Sequence, residues 1–130
     1  MNDYTANDYF NVEVINQGIA FYNLEMPLAT LDNIRELMED EELEDVISDG
    51  EGEVREGEVE TEIECESSRH YESKSVASKI LGRWVGWTYW YGGGKHAEPG
   101  EIDIEAYFLD CVEEEKTVIV KTFSRMELSK

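Results

Sequence analysis

The segment over residues 58–66 constrains the fold of this 130-residue chain most tightly, because its polarity changes at every position. Successive side chains of a β-strand point to opposite faces of the sheet. A period of two therefore predicts a strand with one half-buried face, built from valine, threonine, isoleucine and cysteine, and one face of glutamate alone. The glutamate face comprises Glu58, Glu60, Glu62, Glu64 and Glu66.

Residues 83–91 are predicted to form a second strand, rich in aromatic side chains. In an extended conformation Trp84 and Trp90 lie on one face, and Trp87 lies on the other. Because both faces are apolar, this is either a central strand covered on both sides or a strand that presents an aromatic face to a partner. On the second interpretation, Trp87 and Trp90 are candidate partner-binding residues.

The rest of the C-terminal half reads as β-structure joined by polar connections. Residues 76–82 fit either a strand or a short helix, and strands are predicted at 102–112 and 117–123. The connections are a bend at 67–75, a glycine-rich loop at 92–100 and a charged hairpin turn at 113–116.

The N-terminal part begins with a predicted flexible leader, residues 1–8, ahead of a single domain over residues 9–130. Phe10, Val12 and Val14 alternate with polar residues, which predicts a strand at 9–15. A second strand at 19–26 follows the turn-forming residues 16–18, so these segments predict a β-hairpin.

Residues 31–47 carry a helical pattern, with Thr30 as the predicted N-cap. The apolar spacing changes register at the acidic residues 39–42, which predicts two short helices or one bent helix ending at 48–50. A glycine-containing acidic loop is expected at 50–57. The fold predicted from these elements is α+β, an antiparallel sheet of about five strands with a helical segment packed on one face.

The net charge of −20 restricts the choice of partners. With 41% apolar and 11% aromatic residues the chain is expected to fold rather than to behave as a disordered acidic tail. Such a surface repels nucleic acid and anionic membranes and attracts basic proteins. Residues 1–74 carry −18 of this charge, so the acidity is concentrated in the N-terminal part of the chain. Besides the glutamate strand, the acidic run consists of Glu39, Asp40, Glu41, Glu42, Glu44 and Asp45.

No cofactor or metal motif is complete. Gly94 and Lys95 suggest a phosphate-binding loop, but Tyr89 and His96 stand where the P-loop pattern needs glycine and serine or threonine. The four cysteine and histidine residues match no zinc spacing, and Cys111 is expected to pack in the core. These four are Cys65, His70, His96 and Cys111.

Enzymatic activity is not expected. His96 with Glu98, or with Glu101 or Asp103, is the remaining candidate acid–base pair. A small enzyme or ligand-binding domain centred on residues 92–98 is a third hypothesis. The chain has no apolar run of the roughly 18 residues that a membrane span needs and no signal peptide, so we expect a cytoplasmic protein.

The aromatic strand and the loop after it carry a resemblance. The block Thr88-Tyr89-Trp90-Tyr91-Gly92-Gly93-Gly94-Lys95-His96-Ala97-Glu98-Pro99 resembles a block in small uncharacterised phage and prophage proteins. In size, acidity and lack of cofactor motifs the chain is similar to phage anti-CRISPR and anti-restriction inhibitors. The block resemblance implies no particular activity and brings no catalytic residues, whereas the similarity in character implies an inhibitor.

Five carboxylates in a row resemble the charge density of a nucleic-acid backbone. The leading hypothesis is therefore an acidic DNA mimic that binds a basic nucleic-acid-binding host defence protein in the host cytoplasm. The alternative is a structural or accessory phage protein that forms a homodimer through its aromatic sheet, with the acidity serving solubility. A simpler interpretation of the glutamates, a solvated edge strand protected by charge, stays open.

Overall fold

The computed structural model describes residues 3–65, 71–91, 104–114 and 117–126. Its described strands form one antiparallel sheet in the order β1-β2-β3-β4. The α+β class is confirmed, whereas the expected sheet of about five strands is wrong, since this part of the chain holds four. The elements are α1 (Ala6–Tyr22), α2 (Ile34–Met38), a 3-10 turn (Glu41–Leu43), α3 (Glu44–Val54), β1 (Val59–Glu60), β2 (Glu72–Ile80), β3 (Arg83–Tyr91) and β4 (Tyr107–Leu109).

The predicted N-terminal hairpin is wrong, because residues 6–22 form one helix, α1. Thr5 and Asp8 make a capping box: the Asp8 N–H donates to the Thr5 hydroxyl (3.2 Å), and the Thr5 N–H donates to the Asp8 carboxylate (2.9 Å). The last part of the predicted leader, residues 6–8, is therefore the first turn of α1.

The alternating pattern of α1 arises because the helix is buried on two sides. Phe10 and Val14 pack toward the sheet, while Val12, Ile15 and Ile19 pack against α2 and the start of α3. Because apolar residues lie on two sides of α1, the sequence lacks the single apolar stripe by which an amphipathic helix is recognised. The residues expected to form a hairpin turn, 16–18, therefore lie inside the helix.

The predicted break in the second helical segment is confirmed: α2 ends at Met38, and the 3-10 turn leads into α3. The N-cap of α2 is Asn33 rather than Thr30, and its side chain accepts from the Thr30 N–H (2.8 Å). The helix stop expected at 48–50 is wrong, since α3 continues to Val54. Buried contacts of Val46, Gly50 and Val54 keep α3 against its neighbours, although the first half of the expected loop at 50–57 contains two glycines.

The aromatic strand over residues 83–91 is confirmed as β3. It pairs along its whole length with β2, from Ile80 opposite Arg83 to Glu72 opposite Tyr91, so the ambiguous residues 76–80 are strand. Residues 72–75, expected in a bend, also belong to β2. Leu81 and Gly82 connect the strands with φ angles of 50° and 83°, as a two-residue type I′ turn requires.

The glutamate segment is strand only at Val59–Glu60. On the face predicted to be half-buried, Thr61 and Cys65 are half-buried, whereas Val59 and Ile63 are more exposed, at 47% and 44%. β1 is an edge strand in which Val59 lies opposite Ala77, on the sheet face turned away from the helix-packed residues Val76 and Trp87. The side chain of Val59 therefore stays about half exposed on that face.

The last two predicted strands are largely wrong. Of residues 102–112, only Tyr107–Leu109 form a strand, β4, and residues 102–103 lie outside the described part. Residues 117–123 form no strand, and Val118, Ile119, Val120 and Phe123 are 74–86% exposed. The predicted turn at 113–116 lies half outside the described residues.

Candidate functional site

The first acidic group, residues 39–45, lies between α2 and the first turn of α3. All six predicted carboxylates of this group are exposed. Asp40 caps the 3-10 turn, accepting from the Glu42 N–H at 2.9 Å, and Leu43 is the buried residue that fixes the turn to the core. Glu44 and Asp45 stand in the first turn of α3, where negative charge is favourable. The fold therefore holds this group on ordered backbone.

The second acidic group follows α3. Glu58, Glu60, Glu62 and Glu64 are exposed, while Glu66 lies outside the described residues. Glu60 is held by the pairing of β1 with β2, and Glu58, just before β1, is held by bonds from its N–H to the Ala77 carbonyl (2.9 Å) and the Ser78 hydroxyl (3.0 Å). Glu60 forms an ion pair with Lys74 at 3.9 Å, and because the pair is long and the Glu60 side chain is 65% exposed, it stabilises the protein little.

Helix α3 joins the two groups into an acidic strip, residues 39–64. Its eleven residues span about 16 Å at a rise of about 1.5 Å per residue. Its buried residues face α1 and the core, and its other faces add Asp49, Glu51 and Glu53 to the charge. The strip holds 14 acidic residues and one basic residue. Sequence reasoning identified the two ends of the strip, but it ended the connecting helix at 48–50 and expected a loop at 50–57, whereas α3 continues to Val54.

The arginine of the strip is turned inward. Arg55 donates from Nη2 to the Trp90 carbonyl, and its guanidinium carbon lies 5.2 Å from the centre of the Tyr89 ring. Arg35, on the neighbouring α2, is also committed to internal contacts, since it pairs with buried Asp8 at 2.7 Å. Neither arginine is paired with a carboxylate of the strip in the described residues.

The two predicted partner-binding tryptophans differ in location. Trp87 is fully buried, packs edge-to-face on Phe10 with ring centres 4.8 Å apart, and donates from Nε1 to the Arg55 carbonyl (2.8 Å). Its ring is therefore part of the core and not of a surface that a partner can contact. Trp90 is half-buried on the opposite sheet face, where Trp84 also lies.

A groove beside the strip combines rings and carboxylates. This groove, called the tyrosine groove after Tyr89 and Tyr91 in its lining, has a volume of about 470 Å³. Gly57, which also lines it, lies at the turn before β1 and has a φ of 71°. The Tyr89 and Tyr91 ring centres lie 5.3 Å apart at an angle of 36°. Burial and the charge of Glu56, which accepts from the Tyr89 hydroxyl (3.2 Å), raise the pKa of Tyr89. Its walls include Glu56, Glu58, Glu60, Lys74, Tyr89 and Tyr91.

The groove was missed by sequence reasoning because it depends on register. Lys74 lies opposite Tyr89 only because β2 and β3 are joined by a two-residue turn at Leu81 and Gly82. The sequence distance between Glu56 and Tyr89 gives no sign that their side chains meet. The alternation of residues 83–91, which places Tyr89 and Tyr91 on one face, was the available signal.

The other candidate sites fall largely outside the described residues. The loop at 92–100, with His96 and Glu98, lies outside this part of the chain, and so does His70. Among the residues that are described, no group of three histidine, cysteine or acidic side chains is arranged to hold a metal ion. Cys111 is exposed, so its expected place in the core is wrong. No helix in the same residues is long and apolar enough to cross a membrane.

Comparisons of the chain with protein-family models, curated proteins and solved structures found no match. The resemblance to phage and prophage proteins stays a prediction, as do the roles of the acidic residues. The case for function therefore depends on the geometry of this chain.

Proposed function

We propose that this protein is an inhibitor that acts by binding, with its acidic strip placed against the basic nucleic-acid-binding surface of a host defence protein or complex. The supporting observation is the strip itself, which runs from one exposed acidic group through α3 to a second group. On this proposal it mimics a nucleic-acid backbone and competes with DNA, in the cytoplasm of the host cell.

The arrangement of charge favours this proposal over simple solubility. Edge protection of β1 needs charges on the strand, whereas the strip continues over the 3-10 turn and α3, which are not at a sheet edge. Like charges on neighbouring helix positions lower stability. Arg35 and Arg55 make their contacts elsewhere, and the ion pair of Lys74 with Glu60 is long, at 3.9 Å. Charge of this kind mainly accelerates association with a basic partner and makes it sensitive to salt.

The test is displacement of DNA from purified CRISPR effector complexes and restriction enzymes. It is measured at about 0.05 M and about 0.5 M salt, because binding driven by charge weakens as salt rises. The unmodified protein is expected to displace DNA from at least one of them at low salt. Two variants each remove four charges from the strip: Glu41, Glu42, Glu44 and Asp45 to the matching amides, and Glu58, Glu60, Glu62 and Glu64 to glutamine. Each should weaken binding roughly tenfold or more.

A matched control removes the same number of charges outside the strip. Glu105, Asp110, Glu113 and Glu114 are exposed in the described C-terminal part, and their amide variants change the net charge equally. If this control weakens binding as much as the strip variants do, net charge alone explains the effect and the mimicry proposal is wrong. Absence of binding to every enzyme tested would also overturn it.

A second function, self-association through the sheet, is favoured by one separate observation. The sheet face opposite the helices carries half-exposed Val59, Trp84 and Trp90, and residues 117–123 expose several apolar side chains. Apolar surface of this kind marks sites of association. Analytical ultracentrifugation would detect a dimer, which Trp90→Ser and Ile119→Lys should dissociate on this alternative and which the strip variants should leave intact.

A further inference from the structure

The tyrosine groove already holds a cation at one defined point. The Nζ atom of Lys74 lies 5.6 Å from the centre of the Tyr89 ring and 5.8 Å from that of Tyr91. The same atom is 3.9 Å from the Glu60 carboxylate. Ring faces attract cations through their quadrupole, and a carboxylate adds direct charge attraction. One position in the groove is therefore within reach of two ring faces and a carboxylate, and an ammonium group occupies it.

Lys74 is held there weakly. Its side chain is 38% exposed, its ion pair with Glu60 is long, and Glu60 is 65% exposed. Exposed ion pairs of this kind contribute little to stability, and both ring contacts are close to the outer limit of about 6 Å for a cation–π interaction. The lysine can therefore leave the position at little cost. Its four-carbon stem and freely rotating ammonium make it a replaceable occupant.

The lining suits a guanidinium group better than an ammonium group. A guanidinium is planar, stacks on aromatic faces and donates two parallel hydrogen bonds to a carboxylate. The groove supplies two tyrosine rings and the carboxylates of Glu56, Glu58 and Glu60, in a volume of about 470 Å³ that lies in the range of ligand sites. Arg55 already places its guanidinium 5.2 Å from the Tyr89 ring centre, so this chain itself uses the contact.

We propose that the tyrosine groove is the pocket for an arginine side chain of the partner protein, which displaces Lys74 and stacks over the faces of Tyr89 and Tyr91 beside Glu60. This inference rests on the proposed function, because it names what the basic partner presents beside the acidic strip. The strip would then attract the partner, and the groove would hold one of its side chains in a fixed place.

The direct test needs no partner protein. The ¹⁵N-labelled protein is titrated with the peptide Ac-Gly-Arg-Gly-amide and, as a neutral isostere, with Ac-Gly-citrulline-Gly-amide, and amide shifts are followed by NMR. Arginine is expected to shift the signals of β2 and β3 around Lys74 and Tyr91, and citrulline is not. Lys74→Gln should tighten arginine binding roughly three- to tenfold, since it removes the competing cation.

The controls separate the groove from general acidity. Lys79→Gln makes the same charge change at an exposed position on the other sheet face, and should leave affinity within about twofold. Tyr91→Leu should abolish binding, while Tyr91→Phe, which keeps the ring, should retain it. Equal effects of Lys74→Gln and Lys79→Gln, or citrulline binding as well as arginine, would overturn the proposal.

Two further measurements are needed. The first asks whether the guanidinium comes from a protein or from a small molecule, and the second separates the groove proposal from the proposed function. Free L-arginine binding more than about tenfold tighter than the peptide would make the groove a small-molecule site and overturn the assignment to a partner protein. The amide variant at Glu41, Glu42, Glu44 and Asp45 should leave peptide binding within about twofold while it weakens docking to a defence complex. Peptide binding without any such complex would refute the proposed function and leave the groove assignment intact.

Discussion

Gly18 of α1 and Gly50 of α3 lie where the two helices cross, and each glycine lies close to the backbone of the opposite helix. A Cβ atom added to Gly18 would lie 2.2 Å from the Val46 carbonyl oxygen, and one added to Gly50 would lie 1.9 Å from the Val14 carbonyl oxygen. Real Cβ atoms do not approach backbone oxygens so closely, so the helices pack at this distance only because both positions lack a side chain. The crossing fixes α3, and with it the middle of the acidic strip.

We therefore expect Gly18→Ala and Gly50→Ala to destabilise the protein by about 2 kcal/mol or more, since the helices must separate. Gly52 is the matched control within α3, because a Cβ there meets nothing within 4 Å. Gly52→Ala should raise stability by about 0.5–1 kcal/mol through helix propensity. Urea denaturation followed by circular dichroism measures all three, and equal effects at positions 50 and 52 would contradict the close crossing.

The burial of Trp87 gives the second prediction. Trp87→Phe removes the Nε1–H that bonds to the Arg55 carbonyl and leaves a cavity beside Phe10, so it should cost about 2–3 kcal/mol. Trp90→Phe makes the same chemical change at a half-buried ring and should cost less than about 1 kcal/mol. Urea titration of both variants measures these two losses of unfolding free energy. Similar losses at both positions would mean that Trp87 is not the core residue of this sheet.

The β2–β3 turn gives a third prediction that runs in both directions. Leu81 has a φ of 50°, a left-handed conformation that is unfavourable for leucine. Its side chain is 59% exposed, so little packing compensates for that cost. Leu81→Asn should stabilise the protein by about 0.5–1 kcal/mol, because asparagine tolerates this region. Leu81→Val should destabilise it, since a β-branched side chain is strained there. Thermal unfolding of the two variants should move the midpoint in opposite directions.

The elements that follow from the sequence are those set by local pattern. Residues 83–91 form β3 because nine consecutive residues suit a strand covered by α1 on one face. The break before α3 is equally local, since the apolar spacing changes register at residues 39–42. The exposure of the acidic groups also follows from charge alone, because unpaired carboxylates are costly to bury.

What could not be predicted depends on contacts between distant residues. α1 reads as two strands because it is buried on both sides, and only its partners in α3 and the sheet show this. The continuation of α3 through Gly50 and Gly52 reflects its packing on Gly18 rather than its own helix propensity. The tyrosine groove likewise needs the β2–β3 register that the Leu81–Gly82 turn sets. Local propensity in each case is overridden by tertiary packing.

The ion pair between Asp8 and Arg35 gives the fourth prediction, a pH dependence of stability. Asp8 is buried, and the hydrogen bond from Arg35 lowers its pKa below the usual value of 3.8, with further help from the Thr5 N–H and hydroxyl. A carboxyl group with a lowered pKa contributes stability above its unfolded pKa, and that contribution is lost as the pH falls through the folded value. Asp8 should therefore stabilise the protein fully at neutral pH and progressively less below about pH 4.

The measurement is the difference in unfolding free energy between the unmodified protein and Asp8→Asn, by urea titration from pH 7 to pH 3. We expect about 1–3 kcal/mol at pH 7, because a buried charge-assisted hydrogen bond is lost, and a narrowing difference below about pH 4. The difference between variants cancels the contribution of the other carboxylates. Arg35→Gln should reduce the same pH dependence, since the Arg35 hydrogen bond is the main cause of the lowered pKa. A difference that stays constant down to pH 3 would show that Asp8 acts through helix capping and packing rather than through its charge.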